Sequence, residues 1–453
     1  MLASPRLVYL LKFAGPALIV VWLVAYMVSD QPAYNSVVRQ FKSERDIFIT
    51  DFLDHDVGGQ LDGSSISELC ASKTWTPGLM LSCDPQSGGF GQVKDAHLNC
   101  IRFAIEAGAE LVLPRIIKRD DKNVANTRPK NGGGPYIGEF IDYLFDYEYL
   151  NQTLSEHCPQ LKLYRSMNEL WDVPQVQSAR KISLQDVGAK LNGSVIEDMN
   201  TLSEQIKSYI DRTEDPETRP FPIRFRSDVI SSVFPTAYGN PELAKNFGRL
   251  LRPRKDARVL AAIALYNLHM KYQLNLDPKQ GFQHSTFPGL HLRTEADATP
   301  IFPPFDEQVS TLVELVTNST AGFAFVATGE TEERRRKLSK KAEAVGVTMV
   351  YKQDLMLDEP EGRELLEQLT WDQRALVDYE IMLRAGLTVG LSGSIFDWNI
   401  ALRRNSVPGA DGEPPSLATS SPIQHQDRYS ILLGSSEKAD TLRATPPMPD
   451  IVG

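Results

Sequence analysis

The feature that most limits how this chain can fold is a regular exchange of strand-like and helix-like segments between residues 290 and 402. Leu290–Leu292, Phe323–Ala327, Val347–Tyr351 and Leu387–Leu391 are short apolar runs, which read as buried strands. Between them, Asp306–Val316 aligns Val309, Leu312, Val313 and Val316 at helical spacing. Glu332–Ala344 reads as a charged helix stopped at Gly346, and Thr370-Trp371-Asp372-Gln373 is a capping box opening a helix that Gly386 closes. Phe396–Leu402 begins another helix. Strands that alternate with helices require a parallel sheet with right-handed crossovers.

The first half carries the same signal once. Leu79–Leu81 reads as a strand, Gly88-Gly89-Phe90-Gly91 as a tight turn, and the following helix ends at Gly108 before a strand at Leu111–Leu113. Residues 136–283 read as mainly helical, most clearly at Asp256–Tyr272. The predicted class is therefore α/β, with two facing Rossmann-like domains over 70–283 and 284–407; a single larger domain is the alternative. Sheets of this kind take ligands beyond the carboxyl ends of their strands. The tail, 408–453, is rich in Pro, Ser and Gly and reads as irregular.

Ahead of these, Leu7–Val28 is apolar except for Lys12 and Gly15-Pro16, enough helix for roughly 30 Å of bilayer. Arg6 and Lys12 favour a cytoplasmic amino terminus. Residues 1–29 are thus expected to be a cytoplasmic tail and signal-anchor and 30–69 a stem, with a cleavable signal peptide as the rival. The expectation is a single-pass type II protein of the endoplasmic reticulum or Golgi membrane, its bulk in the lumen. The sequons at Asn151, Asn192 and Asn318 fit that compartment. So does the even set of Cys70, Cys83, Cys100 and Cys158. Cys70 with Cys83 would close a short loop and leave Cys100 for Cys158, one of three connectivities. A net charge of -10 argues against a nucleic-acid partner.

Three clusters fall where a ligand would lie. His291-Leu292-Arg293 sits at a strand's carboxyl end, where a guanidinium can clamp a diphosphate; Glu295 and Asp297 stand ready to hold it. Ser392-Gly393-Ser394 precedes a helix beginning near Ile395, whose free N–H groups suit phosphate; Asp378 lies on the preceding helix. The Gly88–Gly91 turn offers close backbone approach. Asp54-His55-Asp56 is a DxD triplet in the expected stem and is taken as chance.

In this order the clusters resemble the GDP-fucose O-fucosyltransferase superfamily. His291-Leu292-Arg293-Thr294-Glu295 is similar to its HxR motif, Gly88-Gly89-Phe90-Gly91-Gln92 to its glycine-rich turn, and the stretch from Ala375 to Arg404 to its carboxy-terminal motif. The resemblance implies a GT-B fold and an inverting, metal-free transfer of fucose from GDP-fucose to a protein or glycan hydroxyl. It implies that Arg293 neutralises the leaving diphosphate and that His291, Gly89, Phe90, Gly91 and Gln92 line the nucleotide-sugar pocket. Asp378 would meet the guanosine, and Ser392, Ser394 and Ile395 the phosphates. Gln92 stands where the family often has Asn, and Gly89 where it has Arg. Competing readings are a GT-B enzyme with another nucleotide sugar and a non-catalytic lumenal binding protein of the same fold.

Overall fold

The computed structural model describes residues 43–121, 123–126, 138–170, 179–192, 195–196, 199–213, 221–226, 240–280, 283, 286–298, 302–317, 322–405 and 422–434. Among these residues no helix is long and apolar enough to cross a membrane. The anchor expected at Leu7–Val28 and the sequon at Asn318 lie outside them. Asn151 is half-buried on a helix, and Asn192 ends a two-residue strand.

The chain enters through helices α1 (Glu44–Asp54) and α2 (Ser64–Ala71). Strand β1 (Leu79–Cys83) leads into α3 (Phe90–Ala107), then β2 (Glu110–Val112), α4 (Tyr147–His157) and β3 (Leu163–Tyr164). After β4 (Arg180–Ile182) come the short pair β5 (Leu191–Asn192) and β6 (Val195–Ile196), then α5 (Met199–Thr213), β7 (Phe221–Phe225), α6 (Pro241–Phe247) and α7 (Lys255–Tyr272). The first sheet has the order β3-β2-β1-β7-β4 and is parallel throughout.

The second half runs β8 (Pro288–His291), α8 (Phe305–Thr317), β9 (Phe323–Ala327), α9 (Glu332–Glu343) and β10 (Thr348–Val350). It continues through α10 (Pro360–Gln368), α11 (Trp371–Leu383), β11 (Leu387–Leu391) and α12 (Ile395–Asn405), and ends in β12 (Ile423–Gln426) and β13 (Ser430–Leu433). Its order is β10-β9-β8-β11-β13-β12, with only the edge strand β12 antiparallel. The Thr370/Gln373 capping box is formed in both directions. Gly108 closes α3 in the left-handed conformation, φ 60°, where a side chain would be strained.

Three expectations are corrected and one is extended. Residues 44–69 are not stem: α1 and α2 bury Phe52 and Ile66 in the main core, and Val57 joins them from the segment between. Residues 136–283 are mainly helical among the described ones, through α4, α5, α6 and α7, but they also carry β3, β4 and β7, which supply three of the five strands of the first sheet. The tail is not wholly irregular, because β13 pairs with β11 along four residues. The disulfides join Cys70 to Cys158 and Cys83 to Cys100, with Cα separations of 5.5 and 6.2 Å. The βαβ crossover explains the second bridge: α3 folds back along β1 and lays Cys100 against Cys83 at the strand's end. Cys70 ends α2 where it packs on α4, whose cap is Cys158.

The core is shared between the halves. Leu79, Leu81 and Leu111 of the first sheet belong to the same buried cluster as Phe325 and Val350 of the second, bridged by α7 and α11. The other face of the second sheet packs Leu290, Val326 and Val389 against Leu312 and Leu338 in a separate cluster.

Candidate functional site

An open cleft of about 1080 Å³ lies where the two sheets present their carboxyl ends. It is lined from segments that follow β1 (Gly89, Phe90), β8 (Arg293, Glu295), β9 (Thr328, Gly329, Glu330), β10 (Lys352, Gln353) and β11 (Phe396). That position is where open α/β sheets take ligands.

Arg293 sits two residues past the end of β8, and its side chain is 16% exposed. One guanidinium nitrogen pairs with Glu295, while Nη2 donates to Asp297 Oδ2 at 2.6 Å. Burial works against its charge, but the Glu295 and Asp297 carboxylates outweigh that and hold its pKa above the ordinary value. Asp297 also accepts from Arg119 Nη1 at 2.8 Å, and Arg119 Nε donates to Asp372 Oδ1 at 2.9 Å. Both guanidiniums face the Trp371 ring, at 4.7 Å for Arg119 and 5.6 Å for Arg293. Asp121 accepts from the Trp371 backbone N–H at 2.6 Å. The loop after β2 is thereby tied to the start of α11, across the two halves.

His291 ends β8 and donates from Nδ1 to Asp397 Oδ2 at 2.8 Å, the same oxygen that accepts from Leu391 N at 2.8 Å. Asp397 fills the space a side chain at Gly390 would need: a Cβ there would lie 2.3 Å from its carboxyl carbon. The imidazole is thus fixed in orientation as part of the cleft wall. Asp378 projects from α11 and pairs with Lys352 Nζ at 2.5 Å; Lys352 also donates to Thr328 O at 3.0 Å. Burial raises the Asp378 carboxyl, with Lys352 opposing, and its Oδ1 is buried without a hydrogen-bond partner among the described residues. On the floor, Arg335 meets the neutral Gln353 at 3.1 Å. Charge in the cleft is balanced: Arg119, Arg293, Arg335, Lys352 and Arg374 face Asp121, Glu295, Glu330, Glu332 and Asp378.

Of the residues singled out from sequence, Arg293, His291, Gly89, Phe90 and Asp378 line this cleft. The others have different places. A Cβ on Gly91 would lie 2.8 Å from Ile395 C and Phe396 N, so that glycine lets α3 approach the backbone of α12 rather than a ligand. Gln92 is exposed and its amide folds over Gly88. Ser394 accepts from Asp397 N at 3.3 Å and caps its own helix. The Ser392 carbonyl accepts from Trp398 Nε1 at 2.7 Å, and Ile395 contributes backbone to the Gly91 contact. Asp95 accepts from Asn399 at 3.2 Å and does not line the cleft; burial pushes it up to about 7 against the pull of Lys94.

Sequence reasoning passed over Arg119, Lys352, Arg335 and Trp371. Lys352 was within reach, since it follows a strand as Arg293 does. Arg119 lies in a loop with no periodic context, and its partner Asp372 is 253 residues away.

No family model and no curated protein matches the chain. Solved structures that it is similar to include POFUT1 in complex with GDP-fucose, at 15% identity and a TM-score of 0.45, covering 74% of this chain and 97% of that one. FUT1 of Arabidopsis thaliana in complex with GDP is 11% identical with a TM-score of 0.37, covering 76% and 72%. The fucosyltransferase NodZ from Bradyrhizobium is 12% identical with a TM-score of 0.35, covering 73% and 94%.

Proposed function

We propose that this chain is an inverting glycosyltransferase that moves fucose from GDP-fucose to a protein or glycan hydroxyl in the secretory pathway, without a metal. One observation carries the reading: the Arg293 guanidinium stands past the carboxyl end of β8, inside the cleft between the two sheets. In an inverting transfer the acceptor oxygen bonds to the anomeric carbon as the bond to the diphosphate breaks. Positive charge grows on the sugar and negative charge on the leaving group, and neutralising that group is a large share of the rate gain. Arg293 can exchange a carboxylate partner for a phosphate oxygen, because Glu295 and Asp297 have already fixed its fork in place. Arg335, bonded to a neutral amide, offers a second cation for the same anion. Asp378, at the other side of the cleft, has a free acceptor oxygen for a base or ribose donor. The choice of GDP-fucose comes from the likeness of the HLRTE, GGFGQ and carboxy-terminal motifs.

The test is transfer and hydrolysis of GDP-fucose by wild type and Arg293→Ala, with GDP affinity measured by calorimetry. Turnover in the variant is expected to fall by about 10²–10³-fold, the usual loss for a removed transition-state donor. Full turnover together with full GDP affinity would overturn the assignment. GDP-mannose and UDP-sugars in the same assay separate donor classes.

A further inference from the structure

A second, much smaller cavity, of about 30 Å³, lies behind the cleft. It is enclosed by the segment after α1, the 248–253 segment and α7, together with the end of α11 and the side of α12. Phe90 and Phe396 wall the cleft; Tyr379, 4.7 Å from the first ring and 5.9 Å from the second, belongs to the second cavity. An aromatic layer therefore keeps the two spaces apart.

Its lining is strongly cationic. Arg249, Arg252, Arg258, Arg384 and Arg403 surround it, with Lys94, whose pKa burial lowers to about 7, and the only carboxylates among its described lining residues are Asp56 and Glu380. Most of the guanidinium hydrogen bonds go to neutral carbonyls. Arg258 donates to Leu53 O at 2.8 Å, Arg384 to His55 O at 2.6 Å and Pro278 O at 3.2 Å, and Arg249 to Gln60 O at 3.1 Å. A carbonyl satisfies an N–H but cancels no charge, and buried charge without a counter-charge is costly. The two carboxylates are shared out: Asp56 pairs with Arg403 Nη2 at 2.7 Å and with Arg249 Nε at 3.5 Å, and Glu380 lies 4.0 Å from Arg258 Nε. Arg403 is 5% exposed, and its Nη1 is buried with no hydrogen-bond partner among the described residues. The cavity thus holds surplus positive charge and an unused buried donor.

We propose that this cavity binds a doubly charged tetrahedral oxyanion, phosphate or sulfate, seated between Arg403, Arg249 and Arg252 and separate from the cleft. The ion supplies the missing negative charge and accepts from Arg403 Nη1. It can arrive free or as the terminal group of a larger molecule. The proposal does not depend on the transferase reading, because none of its residues lines the cleft.

The test uses the full chain at constant ionic strength with chloride as the reference. Phosphate, sulfate and glucose 6-phosphate are each titrated by calorimetry and by thermal unfolding. Phosphate or sulfate is expected to bind and raise the melting temperature beyond chloride. Glucose 6-phosphate competing for the same site would identify a terminal group, and its failure to compete would identify the free ion. Arg252→Gln is half-buried at the rim and carries no ion pair among the described contacts. It is expected to weaken binding about tenfold, and Arg403→Gln more; should Arg403→Gln not fold, Arg252→Gln decides alone. Arg335→Gln, in the cleft, is expected to leave oxyanion binding unchanged. No stabilisation beyond chloride, an undiminished effect in Arg252→Gln, or loss of binding in Arg335→Gln would each overturn the proposal.

Discussion

The two cavities hold the same residue type by opposite means. In the cleft, Arg293 and Arg119 are oriented by carboxylates, with Asp297 shared between them. In the cavity behind it, Arg249, Arg258 and Arg384 are oriented mainly by main-chain carbonyls of residues 53–60 and 278, with Asp56 and Glu380 at the longer distances of 3.5 Å from Arg249 and 4.0 Å from Arg258. Both arrangements fix a guanidinium fork. Carboxylates also quench its field, so a ligand entering the cleft must displace or share an existing ion-pair partner. Carbonyls leave the field intact, and in a space with little water that field is felt strongly. Pre-orientation and positive potential are therefore separable properties, and the molecule uses one of each.

The contrast is sharpest where one ion of a buried pair is removed. Lys352→Met strands the Asp378 carboxylate, whose Oδ1 is already unpartnered. The expected loss is about 4 kcal/mol at pH 7, as for other broken buried pairs. Burial already raises this carboxyl from 3.8, and losing Lys352, the first of the opposing influences, raises it further. The folded variant then binds a proton that the unfolded chain does not, so its stability falls as pH rises above about 4 and recovers in mild acid. Denaturant unfolding at pH 5 and pH 7 checks this; an equal deficit at both would count against an ionised Asp378 in the cleft wall.

Asp56→Asn makes the opposite change in the rear cavity, with an expected loss of about 3 kcal/mol at pH 7. Burial alone would raise the Asp56 carboxyl, but Arg403, Arg249 and Arg384 outweigh it and hold the group well below the usual carboxylate range. A folded pKa below the unfolded one gives stability that is complete above the unfolded value of 3.8 and is lost as pH falls through the folded value. The deficit of Asp56→Asn should thus persist unchanged from pH 7 to pH 5, where that of Lys352→Met shrinks. If both shrink alike, the two cavities do not differ in the way proposed.

How much of this was legible depended on burial. The strands β9 and β11 are buried along nearly their whole length, so they read as unbroken apolar runs. β3 is two half-buried residues, β4 buries only Ile182, and β7 carries Pro222 and Arg224, so none of them shows a strand pattern. β7 is nevertheless an interior strand, paired in register with β1 on one side and β4 on the other. Helix α1 reads as stem in the sequence because its packing against α7 depends on few apolar positions among charged ones. In the site, His291 and Arg293 were legible because strand ends are where such sheets bind ligands. Arg119 and the rear arginines were not, since what gathers them is long-range packing that no local period records.

The smallest expected effect falls on the wall between the cavities. Gly91 is buried, and a Cβ there would meet Ile395 C and Phe396 N at 2.8 Å and Ile395 O at 2.9 Å, all backbone that cannot rotate away. Gly91→Ala must therefore push the start of α12 from α3, at an expected cost of about 2 kcal/mol for overpacking. Phe396 moves with that backbone, and it forms one side of the cleft while facing Tyr379 of the other cavity across 5.9 Å. Arg293 follows β8, outside the displaced segment, so its ion pairs with Glu295 and Asp297 are retained. Nucleotide-sugar binding in Gly91→Ala should weaken severalfold, and oxyanion binding behind the wall should weaken with it. A variant that lost one and kept the other would show that the aromatic layer insulates the two spaces rather than coupling them.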